Sequence, residues 1–452
     1  MITTRQSLTA LLLGSIVFSA HAAVSEEEAQ RLGQDLTPIG AEKAGNEAGT
    51  IPAWYGGFTD VPAGFEEGGH YPDPFADDER LFTITGNNYK EYEENLSPGQ
   101  IALLTRYPGY KMHVYPTRRS TAYPQGLYDE TRANATKVEL VESGNGFEGT
   151  TGGVPFPIPE SGLEAIWNHL THYRGDTYKT TWAQAAVTKG GDYTLVDFDY
   201  EYDFIYSNQQ KSPSEREDNM LFYFLQVITE PPRLAGSALL VHEYANQVKQ
   251  PRRAWTYNPG QRRVRLAPNV AYDNPGTAAD ALRTNDDFGM YNGATDRYDW
   301  KLVGKKEMYI PYNSYDVNGP DHDVSDIVQA NHINQEHSRY ELHRVWVVEA
   351  NLKEGTSHIY KRRVFYLDED SWGISVTDKY DNRDQLWRVD EDHKYSYYDV
   401  PFLSPGVEVK HDLQSGRYIA LSLRNDKEVV YQPIDRTPAD FSPAALRDLG
   451  LR

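Results

Sequence analysis

Long antiparallel strands are the first structure that the pattern of apolar and polar residues predicts. From Arg344 to Asp392 the runs 'RVWVVEANLK', 'IYKRRVFYL', 'SWGISVTDK' and 'QLWRVDED' are separated by short turn-like segments. In the third run Trp372, Ile374 and Val376 alternate with small or polar residues, so we expect them to share one buried face. A sheet with one apolar, aromatic face must be covered by helices, close on itself or hold a ligand.

The strand pattern continues upstream, interrupted by runs of Asp, Asn, Gly and Pro. Predicted strands there cover residues 178–188, 193–206, 221–229, 237–247, 253–257 and 262–266. Helical spacing of apolar residues predicts helices at residues 87–106 and 162–173. Because the helices come early, and once more in an insertion near residues 273–297, the order of elements indicates an α+β fold rather than alternating α/β.

A single domain over residues 23–452 is expected. Residues 36–74 are rich in Gly and Pro but also contain Ile51 and Trp54, which favours packing over a sheet rather than disorder. The predicted parts are an N-terminal wrap with helices at residues 23–174, an antiparallel sheet at residues 175–430 with the helical insertion near 273–297, and a C-terminal tail at residues 431–452.

The N-terminus has the features of a secretory signal peptide, residues 1–22. Arg5 precedes an apolar stretch from Leu8 to Phe18, and small residues, Ala20 and Ala22, occupy the positions that a signal peptidase reads. That stretch is shorter than the roughly 18 to 20 residues that span a bilayer. We therefore expect a periplasmic protein, and the absence of cysteine argues against a lipid anchor at the new N-terminus.

Composition narrows the classes of function. The chain has 66 acidic and 45 basic residues and a net charge of −21, which argues against binding of nucleic acid or anionic membrane surfaces. With no cysteine, disulfides and thiolate metal sites are excluded. Tyrosine is common, with 33 residues against 15 phenylalanines, and a ring with a polar tip suits half-buried sheet faces and wet cavities.

One glycine-rich segment matches the letters of a dinucleotide-binding fingerprint. Residues 144–149 read 'GNGFEG', but such a site needs a helix that begins at the glycines so that its amides meet a pyrophosphate. Pro155, Pro157 and Pro159 forbid that helix. We expect a loop, and no nucleotide or other cofactor.

Two polar segments raise the question of a metal. His332, Glu336, His337 and His343 do not fit the spacing of known zinc motifs, and we interpret them as part of a solvated polar helix that enters the sheet. A loop rich in oxygen ligands could hold calcium but does not fit the EF-hand spacing, so a solvated turn is the default. Its residues are Asp316, Asn318, Asp321, His322, Asp323 and Asp326. No metal site is expected.

The densest basic patch lies at residues 251–268, a predicted hairpin that turns at Asn258-Pro259-Gly260. Its arginines either pair with acidic residues across strands or form a basic rim for an anionic head group or an acidic partner. They are Arg252, Arg253, Arg262, Arg263 and Arg265. No diagnostic catalytic motif such as Gly-x-Ser-x-Gly is present, although a carbohydrate hydrolase with two spatially paired carboxylates stays open.

Several blocks carry a family resemblance. The segments 'LTPIGAEKAGNEAGTIPAWYGG', 'GVPFPIPESGLEAIWNH', 'RRAWTYNPGQRRVRLAP' and 'YELHRVWVVEANLK' resemble a bacterial family known as domain of unknown function 1329, over essentially the whole mature chain. That family is grouped with the outer-membrane lipoprotein-sorting superfamily of LolA and LolB type. The resemblance implies a strongly curved antiparallel half-barrel, with helices and Gly/Pro-rich loops covering its concave face and an apolar cavity that takes acyl chains.

The resemblance also implies a task and partners. We expect a non-catalytic periplasmic binding or shuttle protein for a lipid or other hydrophobic ligand, and its partners would be an inner-membrane transporter of the resistance-nodulation-division type and an outer-membrane protein. Two alternatives remain: a structural adaptor whose cavity is filled by its own side chains, and a hydrolase of envelope polysaccharide. The residues expected to line the cavity are Phe222, Phe224, Leu240, Trp255, Tyr257, Trp346, Trp372, Ile374 and Trp387.

Overall fold

The computed structural model describes residues 23–268 and 270–449, so the predicted signal peptide lies outside the described residues. A large mixed sheet with few helices confirms the α+β class. The strands are β1 Phe82–Thr85, β2 Lys111–Val114, β3 Glu139–Val141, β4 Gly146–Glu148, β5 Thr177–Val187, β6 Tyr193–Phe204, β7 Met220–Glu230, β8 Ala238–Tyr244, β9 Arg253–Asn258, β10 Arg263–Leu266, β11 Tyr298–Pro311, β12 Tyr340–Leu352, β13 Arg362–Asp368, β14 Ile374–Tyr380, β15 Leu386–Tyr397, β16 Phe402–Asp412, β17 Arg417–Leu423 and β18 Gln432–Pro433. The helices are α1 Glu26–Ala29, α2 Pro98–Arg106, α3 Gln125–Asn134, α4 Gly162–Thr171, α5 Val324–Ile327 and α6 Pro443–Leu449.

The main sheet consists of two antiparallel meanders. Strands β5 to β10 form one and β12 to β17 the other, and β17 pairs with β5 to join them. At the far end β12 also pairs with β11, and it meets β2 through a single parallel bridge between Tyr340 and Val114. Strands β3 and β4 form a separate small sheet. Within the described residues β1 and β10 end the sheet without pairing with each other, so the sheet is open and not a closed barrel.

Both faces of this sheet are buried, so the expectation of one buried face is wrong. Side chains such as Tyr200, Phe224 and Tyr397 cover one side, here called the aromatic face. Helix α4 and residues 270–297, here called the covering segment, pack on it. The opposite face is covered by α2, by residues 317–333 and by α6. A chain of this length has enough residues to cover both sides of its sheet.

The alternation predicted around Trp372 holds only in part. Trp372 and Ile374 do pack on the aromatic face, but Val376 packs on the opposite face. A β-bulge between β13 and β14 causes this change, because Tyr366 pairs with Val376 while the next residue pairs with Ile374. The extra residue in β14 shifts the alternation by one position. Trp372 also has a positive φ of 62°, which no sequence pattern signals.

Two predicted helical stretches are shorter than expected. Of residues 87–106, only Pro98–Arg106 forms an α-helix, preceded by two 3₁₀ turns. Ser97 caps α2 by accepting a hydrogen bond from the Gln100 backbone N–H at 3.0 Å. The insertion contains one 3₁₀ turn, Asn285–Asp287, rather than a helix, because Ala278, Asp280 and Ala281 adopt positive φ values that helices do not tolerate. No helix in the described part of the chain is long and apolar enough to cross a membrane.

Candidate ligand-binding site

The aromatic face carries a ladder of stacked rings across β5, β6 and β7. Strand β6 places an aromatic ring at every second position, and successive rings stack: Tyr200 on Tyr202 at 6.3 Å and Tyr202 on Phe204 at 5.2 Å between ring centroids. Trp182 of β5 stacks on Tyr200 at 4.3 Å, and Phe224 of β7 lies 5.0 Å from Tyr202. Because alternate strand residues project to one side, this spacing builds a continuous aromatic surface.

Two adjoining cavities lie between this ladder and its cover. The first has a volume of about 50 Å³ and the second about 40 Å³. Sheet residues that line the first cavity are Tyr202, Phe222, Phe224, Gln226, Leu239 and Val241. Sheet residues that line the second are Tyr178, Thr180, Trp182, Tyr202, Phe204, Tyr397, Ser404, Pro405, Glu408 and Ser422. Arg174, Tyr202 and Phe288 border both cavities, so only these side chains separate them.

Buried ion pairs near the middle of the covering segment fix it to the sheet. Asp286 accepts a hydrogen bond from Arg363 at 2.8 Å, and Asp287 pairs with Lys379 at 2.9 Å and with Arg363 at 3.6 Å. Burial raises the pKa of Asp287, but the nearby charges of Lys379 and Arg363 outweigh that effect and hold the pKa below its usual range. The segment is therefore anchored beside the cavities, and Phe288 follows the anchor directly and packs over the ladder.

Three arginines point at the cavities without an acidic ion-pair partner among the residues that the structure describes. Arg174 follows α4, borders both cavities, and stands over the rings of Phe204 at 5.0 Å and Phe222 at 5.8 Å. Its Nε has no hydrogen-bond partner. Gly175 must follow, because a side chain there would collide with the ring of Tyr431 and its φ is +91°. The tight turn after α4 thus directs Arg174 onto the aromatic face.

Arg283 and Arg424 are the other two. Arg283, 4 % exposed, lies over the ring of Phe288 at 5.4 Å, and among the described residues its side chain donates to the carbonyl of Thr284 at 3.3 Å. Arg424 is 5 % exposed and lines the second cavity, and its Nε and Nη1 have no partner. Burial lowers the pKa of Arg174 and of Arg283. Cationic groups therefore surround an otherwise aromatic space.

A β-bulge places Arg424 there. Ile419 and Leu421 of β17 pack on the aromatic face, but Leu423 packs on the opposite face. The register between β17 and β5 shifts at this point, and Ser422 has a φ of 61°. The alternation changes by one residue, so that Arg424 projects toward the aromatic side.

The nine residues predicted to line a cavity do not lie together. Phe222, Phe224, Trp346, Trp372 and Ile374 pack in or against the aromatic-face cluster, and of these only Phe222 and Phe224 border a cavity. Trp372 is fully buried, its indole N–H donates to the carbonyl of Ile39 at 3.0 Å, and it stacks on Trp346 at 6.1 Å. That pair is packed under the N-terminal wrap, away from both cavities.

The remaining four are elsewhere. Leu240, Trp255 and Tyr257 belong to the opposite-face cluster, where they pack with residues of the C-terminal segment around α6. Trp387 lies outside both clusters; its indole N–H donates to Asp412 at 3.0 Å and its ring meets Tyr360 edge-on at 5.6 Å. Alternation within β8 and β9 turns Leu240, Trp255 and Tyr257 to the opposite face, and Trp387 lies on β15. None of the four is among the described residues that line the two cavities.

The predicted basic rim is divided in the same way. Arg252 is buried, pairs with Glu243, donates to the carbonyls of Val270 and Asn292 at 3.0 and 2.6 Å, and borders the first cavity. The other four arginines are exposed on the edge hairpin, and none forms an ion pair with a residue that the structure describes. They are Arg253, Arg262, Arg263 and Arg265.

The histidine-rich motif does not assemble as a unit. His343 is buried beside Glu341, His332 packs against Tyr110, and Glu336 pairs with His113 at 3.0 Å. The expected solvated polar helix is a single 3₁₀ turn, Gln335–His337, followed by β12.

His337 instead meets the acidic loop. Its Nδ1 lies 2.8 Å from Asp316, whose second oxygen lies 2.9 Å from His322 Nε2. Zinc can use the donor atoms of these three residues as ligands. The expectation that no metal binds here remains a prediction. They stand beside a wide polar cleft of about 980 Å³, which is lined by Asp73, Asp316, His337 and Arg339 among others.

Sequence reasoning missed several residues of the cavity pair. The alternation 'FDYEYDF' in β6 places four rings on one face, a signal that was sufficient to select Tyr202 and Phe204. Phe288 lies in an irregular segment, and Arg174 and Arg424 are positioned by a glycine turn and a bulge. Neither a glycine turn nor a bulge leaves a periodic pattern in the sequence, so no pattern of this kind could have identified Phe288, Arg174 or Arg424.

Fold and site together define an α+β protein whose open sheet encloses two small aromatic cavities bordered by arginines. The chain belongs to the family described as "Protein of unknown function (DUF1329)", whose model matches residues 83–447, and the predicted family is thereby confirmed. An uncharacterized protein of Pseudomonas aeruginosa is 51 % identical over 444 residues, which cover 98 % of this chain and 97 % of the relative.

Similar solved structures come from the same family and from lipoprotein-sorting proteins. A putative outer membrane lipoprotein-sorting protein domain from Vibrio parahaemolyticus is 13 % identical, with 63 % of this chain and 97 % of that chain covered and a TM-score of 0.43. A DUF1329 family protein from Desulfovibrio piger is 16 % identical, with 60 % and 91 % covered and a TM-score of 0.39. A LolA superfamily protein from Nitrosomonas europaea is 12 % identical, with 62 % and 97 % covered and a TM-score of 0.37.

Proposed function

We propose that this protein is a periplasmic, non-catalytic binding or shuttle protein for a lipid or another hydrophobic ligand, which it binds against the aromatic face under the covering segment. The observation that carries the proposal is the pair of small, partly open cavities along the ring ladder. Concave sites lined by aromatic and aliphatic side chains, with a few polar groups, are typical of small-molecule binding. The predicted signal peptide supports the periplasm, and the predicted role of an envelope transporter and an outer-membrane protein as partners belongs to this proposal.

Binding requires the covering segment to move. Each cavity has room for only a few water molecules, since one water needs roughly 10 to 15 Å³ of cavity volume. A hydrophobic ligand would displace Phe288 and its neighbours from the ladder and take their place against the rings. The gain is desolvation of apolar surface, roughly 25 cal/mol per Å². Release would follow when a partner displaces the ligand and the segment closes again.

The chemistry around the cavities supports binding rather than catalysis. Among the described residues that line them, Glu408 is the one carboxylate, and it already pairs with Lys410 at 2.8 Å. A glycosidase needs two carboxyl groups that converge on one bond. The lining lacks that second group within residues 23–268 and 270–449, which disfavours a polysaccharide hydrolase at this site.

The small cavity volumes favour one second candidate, a structural adaptor whose aromatic face is filled by its own side chains. In that case the protein would dock a transporter or an outer-membrane protein through its surface and take up no ligand. Uptake of an apolar compound separates the two functions.

The test is titration with N-phenyl-1-naphthylamine, a neutral apolar dye that fluoresces when it leaves water. The carrier account predicts saturable uptake of about one dye per chain. Leu239→Trp, which fills the first cavity from β8, should weaken binding by at least about tenfold, or 1.4 kcal/mol. Val227→Trp is the matched control, because Val227 packs on the opposite face of the adjacent strand β7.

Absence of dye uptake by the unmodified protein would contradict the carrier account and favour the adaptor. Equal loss of uptake in both tryptophan variants would also contradict it, because uptake would then not depend on the first cavity.

A further inference from the structure

The three arginines of the cavity pair carry charges that the protein itself does not neutralise. Arginine stays protonated in proteins, so Arg174, Arg283 and Arg424 bring three positive charges to the site. Carboxylates act on them only from a distance, and several of their N–H groups have no partner. A buried charge without a partner is strongly unfavourable, and contact with aromatic rings offsets only part of that penalty.

The nearby acidic groups are already occupied. Glu243 pairs with Arg252, and Glu408 accepts from Lys410 at 2.8 Å and from the Met290 backbone N–H at 3.4 Å. The site is therefore locally positive in a chain whose net charge is −21. A chain with 66 acidic residues has ample means to pair three arginines, and it does not do so here.

Their placement matches one kind of ligand. Arg174 borders both cavities, Arg283 closes the first from the covering segment, and Arg424 closes the second from the end of β17. An anionic group beside Arg174 can thus be approached by guanidinium groups from two directions, while the ring ladder extends along the sheet next to it. Guanidinium groups bind carboxylate and phosphate oxygens through paired N–H donors.

We propose that the ligand is an anionic amphiphile, whose carboxylate or phosphate head is held by Arg174, Arg283 and Arg424 and whose apolar body lies against the ring ladder. This inference rests on the proposed function and names its ligand class. It differs from the predicted basic rim, because the exposed arginines of the edge hairpin take no part in it.

A first experiment asks whether these guanidinium groups serve binding or the fold. Arg283→Met should leave the thermal midpoint of the ligand-free protein unchanged or raise it, because it removes an unpaired buried charge. Arg363→Met is the contrasting control and should lower the midpoint clearly, since it removes the guanidinium that pairs with Asp286 and leaves Asp287 to pair with Lys379 alone. A fall in Arg283→Met as large as that in the control would make Arg283 a structural residue and overturn the inference.

A second experiment measures ligand preference by calorimetric titration. The probes are decyl phosphate and decanoate, the neutral 1-decanol with the same chain, and inorganic phosphate. The unmodified protein should bind the two anionic amphiphiles at least about tenfold more tightly than 1-decanol, and inorganic phosphate far more weakly still. Arg174→Gln and Arg283→Gln should lose this preference but keep binding of 1-decanol, whereas Arg263→Gln on the exposed hairpin should behave as the unmodified protein.

Each other result has a distinct meaning. Equal binding of 1-decanol and decyl phosphate would overturn the anionic head and leave carriage of a hydrophobic ligand standing. Inorganic phosphate binding as tightly as decyl phosphate would overturn the amphiphile. Failure of every decyl probe to bind would overturn both this inference and the proposed function.

Discussion

The side chain of Asp378 links strand β14 of the sheet to helix α2. It lies buried on β14 and accepts hydrogen bonds from the Ser97 hydroxyl at 3.0 Å and from the Gly99 backbone N–H at 3.1 Å, at the N-terminus of α2. Burial raises its pKa from 3.8 to about 7. The unfolded chain releases this proton near pH 4, whereas the folded protein holds it until about pH 7.

This difference predicts a pH dependence of stability. Between about pH 4 and pH 7 the folded state binds more protons than the unfolded state at this group, so its contribution to the free energy of unfolding falls as pH rises. Asp378→Asn cannot titrate and keeps an acceptor oxygen. We expect the variant to gain stability relative to the unmodified protein across this window, by up to about 4 kcal/mol, in urea unfolding at several pH values. A difference that does not change with pH would contradict the assignment.

For individual residues, the sequence predicted only part of the candidate site. Phe222 and Phe224 border the first cavity and lie on β7, whose apolar run is a clear strand signal. The arginines were not found, since an arginine beside a cavity, such as the partly exposed Arg174, reads in the sequence like any surface arginine. Their position depends on a glycine turn and on a register shift, both of which are tertiary features.

Helices α2 and α3 offer a matched test of how a helix docks on the sheet. Gly99 and Gly126 both occupy the second position of their helices. A Cβ at Gly99 would lie 2.0 Å from an Asp378 oxygen and 2.7 Å from a methyl carbon of Val389, whereas a Cβ at Gly126 would meet only the movable end of Gln209. Gly99→Ala should therefore destabilise the protein by about 1 to 3 kcal/mol, and Gly126→Ala should be neutral or stabilise it by up to about 1 kcal/mol.

Chemical denaturation of both variants measures these effects. Equal stability of the two variants would show that α2 does not approach β14 as closely as described.

Among the contacts that hold the covering segment, the buried ion pairs of its anchor should contribute most. Asp287→Asn removes the carboxylate that pairs with Lys379 and Arg363, and we expect a loss of about 3 to 5 kcal/mol. Hydrogen exchange should accelerate first within residues 270–297. Asp273→Asn is the control in the same segment, because its half-exposed pair with Arg297 at 3.6 Å contributes less than about 1 kcal/mol. Uniform acceleration over the whole sheet would contradict a local anchor.

The sequence predicted where the strands lie better than it predicted which face of the sheet each side chain occupies. The strands from 177 to 266 match the predicted runs closely, because their apolar and aromatic residues alternate and Gly or Pro separates them. Bulges at β14 and β17 were not predictable, since one extra residue moves side chains to the other face without changing the local composition. The insertion lacks its predicted helix because its backbone repeatedly enters positive φ.

Across the whole molecule, the two meanders are expected to behave as one domain. Strand β17 pairs with β5, and the aromatic-face cluster includes residues from both meanders, such as Phe365 and Phe224. A shared core of this kind predicts one cooperative transition in differential scanning calorimetry. Two separate transitions would contradict the prediction of a single domain. The sequence alone could not decide this point, because its length permits either one large domain or two.

The central claim is that the aromatic face carries an anionic amphiphile, and native mass spectrometry with lipid extraction tests it most directly. The protein should be purified from cells of its own host, beside Arg174→Gln and the exposed control Arg263→Gln. The account predicts a co-purifying compound with an apolar body and an anionic head, retained in the control and reduced in Arg174→Gln. A ligand-free mass for the unmodified protein, with no uptake of added decyl phosphate, would contradict it and favour an adaptor whose aromatic face is filled by its own side chains.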